Sequence, residues 1–134
     1  IQDSPYAQTQ CPDLILSEHS TWKRIYLHRM KHSKICIAST GLHQSSGWKI
    51  AEYLAAGRAI VSEPLCYEVP GPFQAGENYL TYTSADGCIE QIRTLLAHPE
   101  QILQMGQRNR AYYDEWLRPD QIVTKALEQA KILL

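Results

Sequence analysis

With 134 residues, a net charge of −1, 44% hydrophobic and 20% charged residues, the chain has the size and make-up of one soluble globular domain able to bury a core. That charge balance argues against a broad nucleic-acid footprint or a polybasic membrane surface, and no apolar run approaches the roughly 18 residues that span a bilayer. Cys11, Cys36, Cys66 and Cys88 stand far apart with no C-x-x-C, so neither a redox motif nor a zinc knuckle is signalled and a reducing cytoplasm is the simplest setting.

The chain opens on Ile rather than Met and carries no charged-then-apolar leader, as expected of a piece of a longer protein. Ile1 to Gln10 lacks periodicity and reads as a loose lead-in. Pro12 to Leu16 reads as a short strand and Ser17 to Ser20 as a turn. Trp22, Ile25, Tyr26 and Met30 recur at helical spacing, which predicts a helix to about Lys34. His28 and His32 lie four apart on that helix, a spacing able to hold a metal. There is no H-E-x-x-H and no third ligand of suitable spacing, so no metal is assigned. Lys34 to Ser39 is short and apolar, a buried strand ending in Thr40-Gly41. The loop Gly41 to Ser46 follows its carboxyl end, where open α/β sheets place their ligands.

The most informative stretch is Gln44 to Pro64. Ser45 or Ser46 can cap a helix by accepting a backbone N–H, and Gly57 can take the left-handed conformation that ends it. Ile50, Ala51, Leu54 and Ala55 would face a sheet, and the apolar residues around Ile60 and Val61 read as a second buried parallel strand. Ser45, Lys49, Glu52 and Ala56 share another stripe, which sets a hydroxyl, an ammonium and a carboxylate beside a helix amino end that favours an anion. A phosphate there, with Glu52 one turn deeper accepting from sugar hydroxyls, is what a nucleotide-sugar site requires. The alternative is a solvated helix face, with Lys49 paired to Glu52 or Glu63. His43 is placed to bond a phosphate or hydroxyl, or to be an exposed loop residue.

Glu63 to Asn78, with Pro64, Pro70, Gly71, Pro72 and Gly76, is a long connection of the kind that is functional or mobile. Asn78 to Thr83 reads as the last strand. Asp86 can cap a helix from Gly87 to Ala97 with Ile89, Ile92, Leu95 and Leu96 inside. Pro99 opens a helix to about Leu117 through Ile102, Leu103, Gly106, Tyr113 and Trp116. Pro119 opens another with Ile122, Val123, Ala126, Leu127, Ala130 and Leu133. Tyr112, Tyr113 and Trp116, near Arg108 and Arg110, suit packing of these two helices better than a base-stacking platform. Cys36 in a strand and Cys88 in a helix suit small buried thiols. Alternating strands and helices predict an α/β fold, a Rossmann-like three-layer domain over 1–134 with a parallel sheet of about four strands and a helical carboxyl end. No nucleophile elbow, P-loop or dinucleotide fingerprint appears.

Gly47 to Pro64 resembles the E-x7-E segment, followed by A-x-G and a strand, of GT-B glycosyltransferases of the GT4-type "group 1" superfamily. Glu52 matches the second glutamate and Ala55-Ala56-Gly57 the small-residue helix end, whereas Gln44 stands where the first glutamate would be. An amide there still bonds sugar or phosphate groups but carries no charge and cannot act as a base. Ala75 to Leu80 is similar to the family's glycine-rich turn. Asp86 through Leu95-Leu96-Ala97-His98-Pro99 to Met105-Gly106-Gln107-Arg108 is similar to its helix pair, so residues 33–117 carry the resemblance.

The resemblance implies a donor-binding lobe, one half of a two-lobe protein, that takes a nucleotide-diphosphate sugar for hexosyl transfer to an acceptor held by a missing N-terminal lobe. By it, Glu52 contacts the ribose, Lys49 with Ser45, Ser46 and Gly47 meets the pyrophosphate, and Gln44 and His43 lie toward the donor sugar, with Glu52 and Gln44 as the catalytic candidates. No cofactor and no obligatory metal are implied. A cytoplasmic placement is expected, with a peripheral position at the inner membrane face as the alternative. The isolated lobe should bind donor and turn over little. The alternative is a non-catalytic α/β module that uses the same face for protein or nucleotide contacts, a reading favoured by Gln44.

Overall fold

The computed structural model describes residues 4–132, so the expectations for Leu133 and for the first three residues lie outside the described part. The chain divides into two compact units, one ending at His32 and one beginning at Ser33.

The first unit is helical. Helix α1 (Pro5–Gln10) occupies the predicted lead-in; it starts on a proline and is capped by Ser4, whose Oγ accepts from Ala7 N at 3.1 Å. Pro12 to Leu16, expected as a strand, instead begins with a 3₁₀ turn at Pro12–Leu14. Leu14 N and Ile15 N bond back to Cys11 O and Pro12 O, which uses locally the donors a strand would offer a neighbour. Ser17 to Ser20, expected as a turn, instead runs into a one-turn helix, α2 (Glu18–Thr21); Trp22, extended at ψ 137°, separates it from α3 (Lys23–His32), the helix expected from Trp22.

The second unit carries the sheet. Strands β1 (Ile35–Ala38), β2 (Ala59–Ser62) and β3 (Leu80–Thr81) are all parallel, in spatial order β1-β2-β3, with Cys36 opposite Ile60 and Val61 opposite Leu80. Among the described residues three strands stand where about four were expected, the Pro12 segment not forming one. Helix α4 (Gly47–Ala55) packs against β1 and β2. It buries Ile50, Tyr53 and Leu54, while Ala51 is exposed. Tyr53 replaces Ala51 on the inner face because its ring covers the sheet and its hydroxyl donates to Ile37 O at 3.2 Å.

The face bearing Ala59 and Val61 forms the core with Leu95 and Met105 from α5 (Ala85–Ala97) and α6 (Pro99–Tyr112). Cys88, Ile92 and Leu95 form the inner stripe of α5, whereas Ile89 and Leu96 are exposed. Ser84, not Asp86, caps α5; its extended backbone lets Oγ accept from Gly87 N at 3.1 Å, and Asp86 sits in the first turn. A π turn, Tyr113–Leu117, links α6 to α7 (Pro119–Ile132), so both prolines open helices as predicted. On α7 the apolar residues Ile122, Val123 and Leu127 are exposed.

Gly57, at φ 61°, ends α4, with Arg58 N bonded to Tyr53 O. A Cβ on Gly106 would lie 2.6 Å from Gly57 O, so α4 and α6 cross backbone against backbone at two glycines. Beside them Asn109, wholly buried, donates to Arg58 O and Asn78 O and accepts from Asn78 Nδ2, which ties α6 to the start of β2 and to the β2–β3 connection.

Candidate functional site

The carboxyl edge of the sheet is where the β1–α4 loop and the β2–β3 connection meet. In the first loop Gly41 N donates to Ser45 O at 2.8 Å, which closes a tight bend. Inside it His43 (φ 56°) and Gln44 (φ 60°) both take the left-handed conformation, followed by Gly47 at φ 57°. For the two non-glycine residues that conformation costs roughly 1–2 kcal/mol each, so the surroundings must hold it. They do so from the other loop. Glu63, directly after β2, accepts from Thr40 N at 2.6 Å and Thr40 Oγ1 at 2.7 Å, and Tyr67 donates its hydroxyl to His43 O at 3.0 Å. The Thr40 bonds hold the Glu63 carboxyl below its usual range.

Helix α4 then starts with no side-chain cap. Ser46 occupies the N-cap position at φ −69°, ψ −4° and makes no capping bond, contrary to the expectation for Ser45 or Ser46. A capping serine is extended, and in Ser46's helical conformation its oxygen does not reach the first-turn N–H groups. The opposite end of α4 is compensated: Arg58 Nε donates to Ala56 O and Arg110 Nη1 to Ala55 O, both at 2.7 Å. Two guanidiniums at the carboxyl end and no side-chain capping bond from Ser46 at the amino end leave the positive pole of the helix facing the sheet's carboxyl edge, where an anion is favoured.

Of the predicted residues, His43, Gln44, Ser45, Gly47 and Lys49 are exposed, and Ser46 and Glu52 are half-buried. Ser46 and Gly47 line a cleft of about 140 Å³ walled by Leu65, Val69 and Phe73 from the β2–β3 connection. Lys49 and Glu52 lie on another stripe of α4 and do not line it. Among the described residues Lys49 makes no ion pair, so neither the Glu52 nor the Glu63 bridge forms. A family model described as glycosyl transferase-like matches residues 11–128.

The chain belongs to the glycosyl transferase-like family. No curated protein and no solved structure gave a match. Membership supports a role in glycosyl transfer. A larger groove of this glycosyl transferase-like chain, about 620 Å³, opens at the opposite, amino edge of the sheet between Lys34, Arg58 and Arg110. Size points there but chemistry does not, because both arginines are engaged with the carbonyls of α4.

His32 Nδ1 bonds His28 O at 2.8 Å and the two imidazoles lie ring to ring, and among the described residues no three His, Cys, Asp or Glu could hold a metal. All four cysteines are free thiols; burial pushes Cys36 up to about 11. No described helix is long and apolar enough to cross a membrane. Tyr112 donates to Pro70 O and Trp116 packs on Gly71, so the aromatic cluster holds the β2–β3 connection as well as the last helices.

Sequence reasoning missed Glu63, Thr40 and Tyr67. Glu63 carried a signal, a carboxylate at the first position past a buried parallel strand, where side chains meet the ligand edge.

Proposed function

We propose that this chain is the donor-binding lobe of a GT-B-type glycosyltransferase and holds a nucleotide-diphosphate sugar at the amino end of α4. The observation that carries this reading is the polarity of that helix, uncapped where it meets the sheet's carboxyl edge and neutralised by Arg58 and Arg110 at its far end. The diphosphate lies against the N–H groups of Gly47 and its neighbours, with Ser45, Ser46 and Lys49 beside it. Glu52 takes the ribose hydroxyls, and Gln44 and His43 lie toward the hexose. Developing charge on the leaving diphosphate is then met by fixed dipoles and the free Lys49 ammonium, with no metal required. An acceptor-binding lobe elsewhere completes the transferase, so the 134-residue chain binds donor without appreciable turnover.

A second reading, a non-catalytic module binding a nucleotide or protein on this face, is favoured by Gln44 in place of a carboxylate and by the separation of Lys49 and Glu52 from the cleft at Ser46. Isothermal titration of the chain with UDP- and GDP-sugars, repeated on Lys49→Ala and Glu52→Ala, decides between them. About tenfold weaker binding in each variant supports the transferase lobe. Unchanged binding in both, or none by the intact chain, favours the module.

A further inference from the structure

Gln44 leaves the proposed donor site without a charged acceptor on the β1–α4 loop, yet the fold brings a carboxylate to the same edge from another element. We infer that Glu63 fills that role, its Oε1 accepting hydrogen bonds from the hydroxyls of the donor hexose.

Glu63 follows β2 at the sheet's carboxyl edge, and its partner Thr40 opens the loop that runs through Gln44 into α4. Both Thr40 donors converge on Oε2, which fixes the plane of the carboxylate. Oε1 has no hydrogen-bond partner among the described residues. The residue is half-buried, and only one of its two carboxylate oxygens is engaged within the chain. A carboxylate only accepts and a sugar hydroxyl donates, so the two are complementary, and the bond is charge-assisted. Gln44 is exposed and can offer only a neutral amide oxygen. The clasp that orients Glu63 also braces Thr40, so one residue shapes the loop and presents the acceptor.

The inference rests on the donor-lobe reading and is separable from it by comparing nucleotides with and without the sugar. Titrations with UDP, UDP-glucose, GDP and GDP-mannose are run on the intact chain, Glu63→Gln and Thr40→Val, each checked by circular dichroism for native fold. The chain should bind one sugar nucleotide more tightly than its parent nucleotide. Glu63→Gln should weaken that sugar nucleotide roughly tenfold or more, the worth of a hydrogen bond to a charged group. Its effect on the parent nucleotide should stay within about twofold. Thr40→Val, which removes one of the two bonds to Oε2 and leaves the carboxylate, should weaken the same ligand about threefold and serves if Glu63→Gln does not fold. Equal losses for nucleotide and sugar nucleotide would show that Glu63 only supports the loop, and no loss for either would remove it from the site. Either result overturns this inference and leaves the donor lobe standing. No binding of any of the four ligands by the intact chain overturns both.

Discussion

Helices α4 and α5 each begin after a strand with a serine at the N-cap position, yet their amino ends are built in opposite ways. Ser84 is extended, its Oγ takes Gly87 N, and Asp86 adds a favourable charge, so the start of α5 is closed. Ser46 is helical and caps nothing, and the loop before it holds two non-glycine residues at positive φ. The difference lies in backbone conformation rather than residue type. In α5 every local rule agrees with the fold. In α4 two rules are broken at one place, and a ligand site is where such violations are expected.

The largest expected effect comes from the far end of α4, the end that is closed. Gly106→Ala places a methyl group 2.6 Å from Gly57 O, against backbone that cannot yield. We expect a loss of about 2 kcal/mol in urea unfolding. A smaller effect separates the two serines: Ser84→Ala should cost about 1 kcal/mol, whereas Ser46→Ala should stay within about 0.5 kcal/mol because no capping bond exists to lose. Equal costs would erase the contrast between the helices. Smaller again and opposite in sign, His43→Gly and Gln44→Gly should each stabilise the chain by about 0.5 kcal/mol. Relief of the left-handed strain slightly outweighs the added chain entropy of glycine. Destabilisation by both would show that these conformations store no strain.

What could be read from the sequence is what local chemistry decides. The apolar runs of β1 and β2, the Gly57 stop and the prolines that open α6 and α7 act within a few residues of themselves, and all stand where expected. The Pro12–Leu16 run has strand-like composition, but its donors close a 3₁₀ turn, and no apolar count distinguishes the two outcomes. The inner face of α5 was legible at Ile92 and Leu95 and misjudged at Ile89 and Leu96, because periodicity fixes the spacing of a stripe better than its centre. At the candidate site the loop's position was legible and its bracing was not. Glu63 reaches Thr40 across 23 residues and Arg110 reaches Ala55 across 55, pairings that only the tertiary fold makes.

The smallest expected effect concerns the brace itself. The two Thr40 bonds favour the ionised form of Glu63, so its folded pKa lies below the unfolded value of 4.5. Between those values the unfolded chain binds more protons, so stability rises with pH there. The stabilisation from Glu63 is therefore complete above 4.5 and lost as pH falls through the lower, folded value. Tyr82, a phenol pushed upward by burial and by this carboxylate, stays neutral throughout that window. Asp120, held near 2 by Arg118, also titrates in acid, but it does so equally in wild type and in Glu63→Gln and cancels in their difference. Urea unfolding of the two proteins from neutral pH downward should give a gap that is constant above 4.5 and closes below it. A gap that stays constant down to about pH 3 would mean that Thr40 does not grip the carboxylate. The oxygen offered to the sugar would then have no fixed direction.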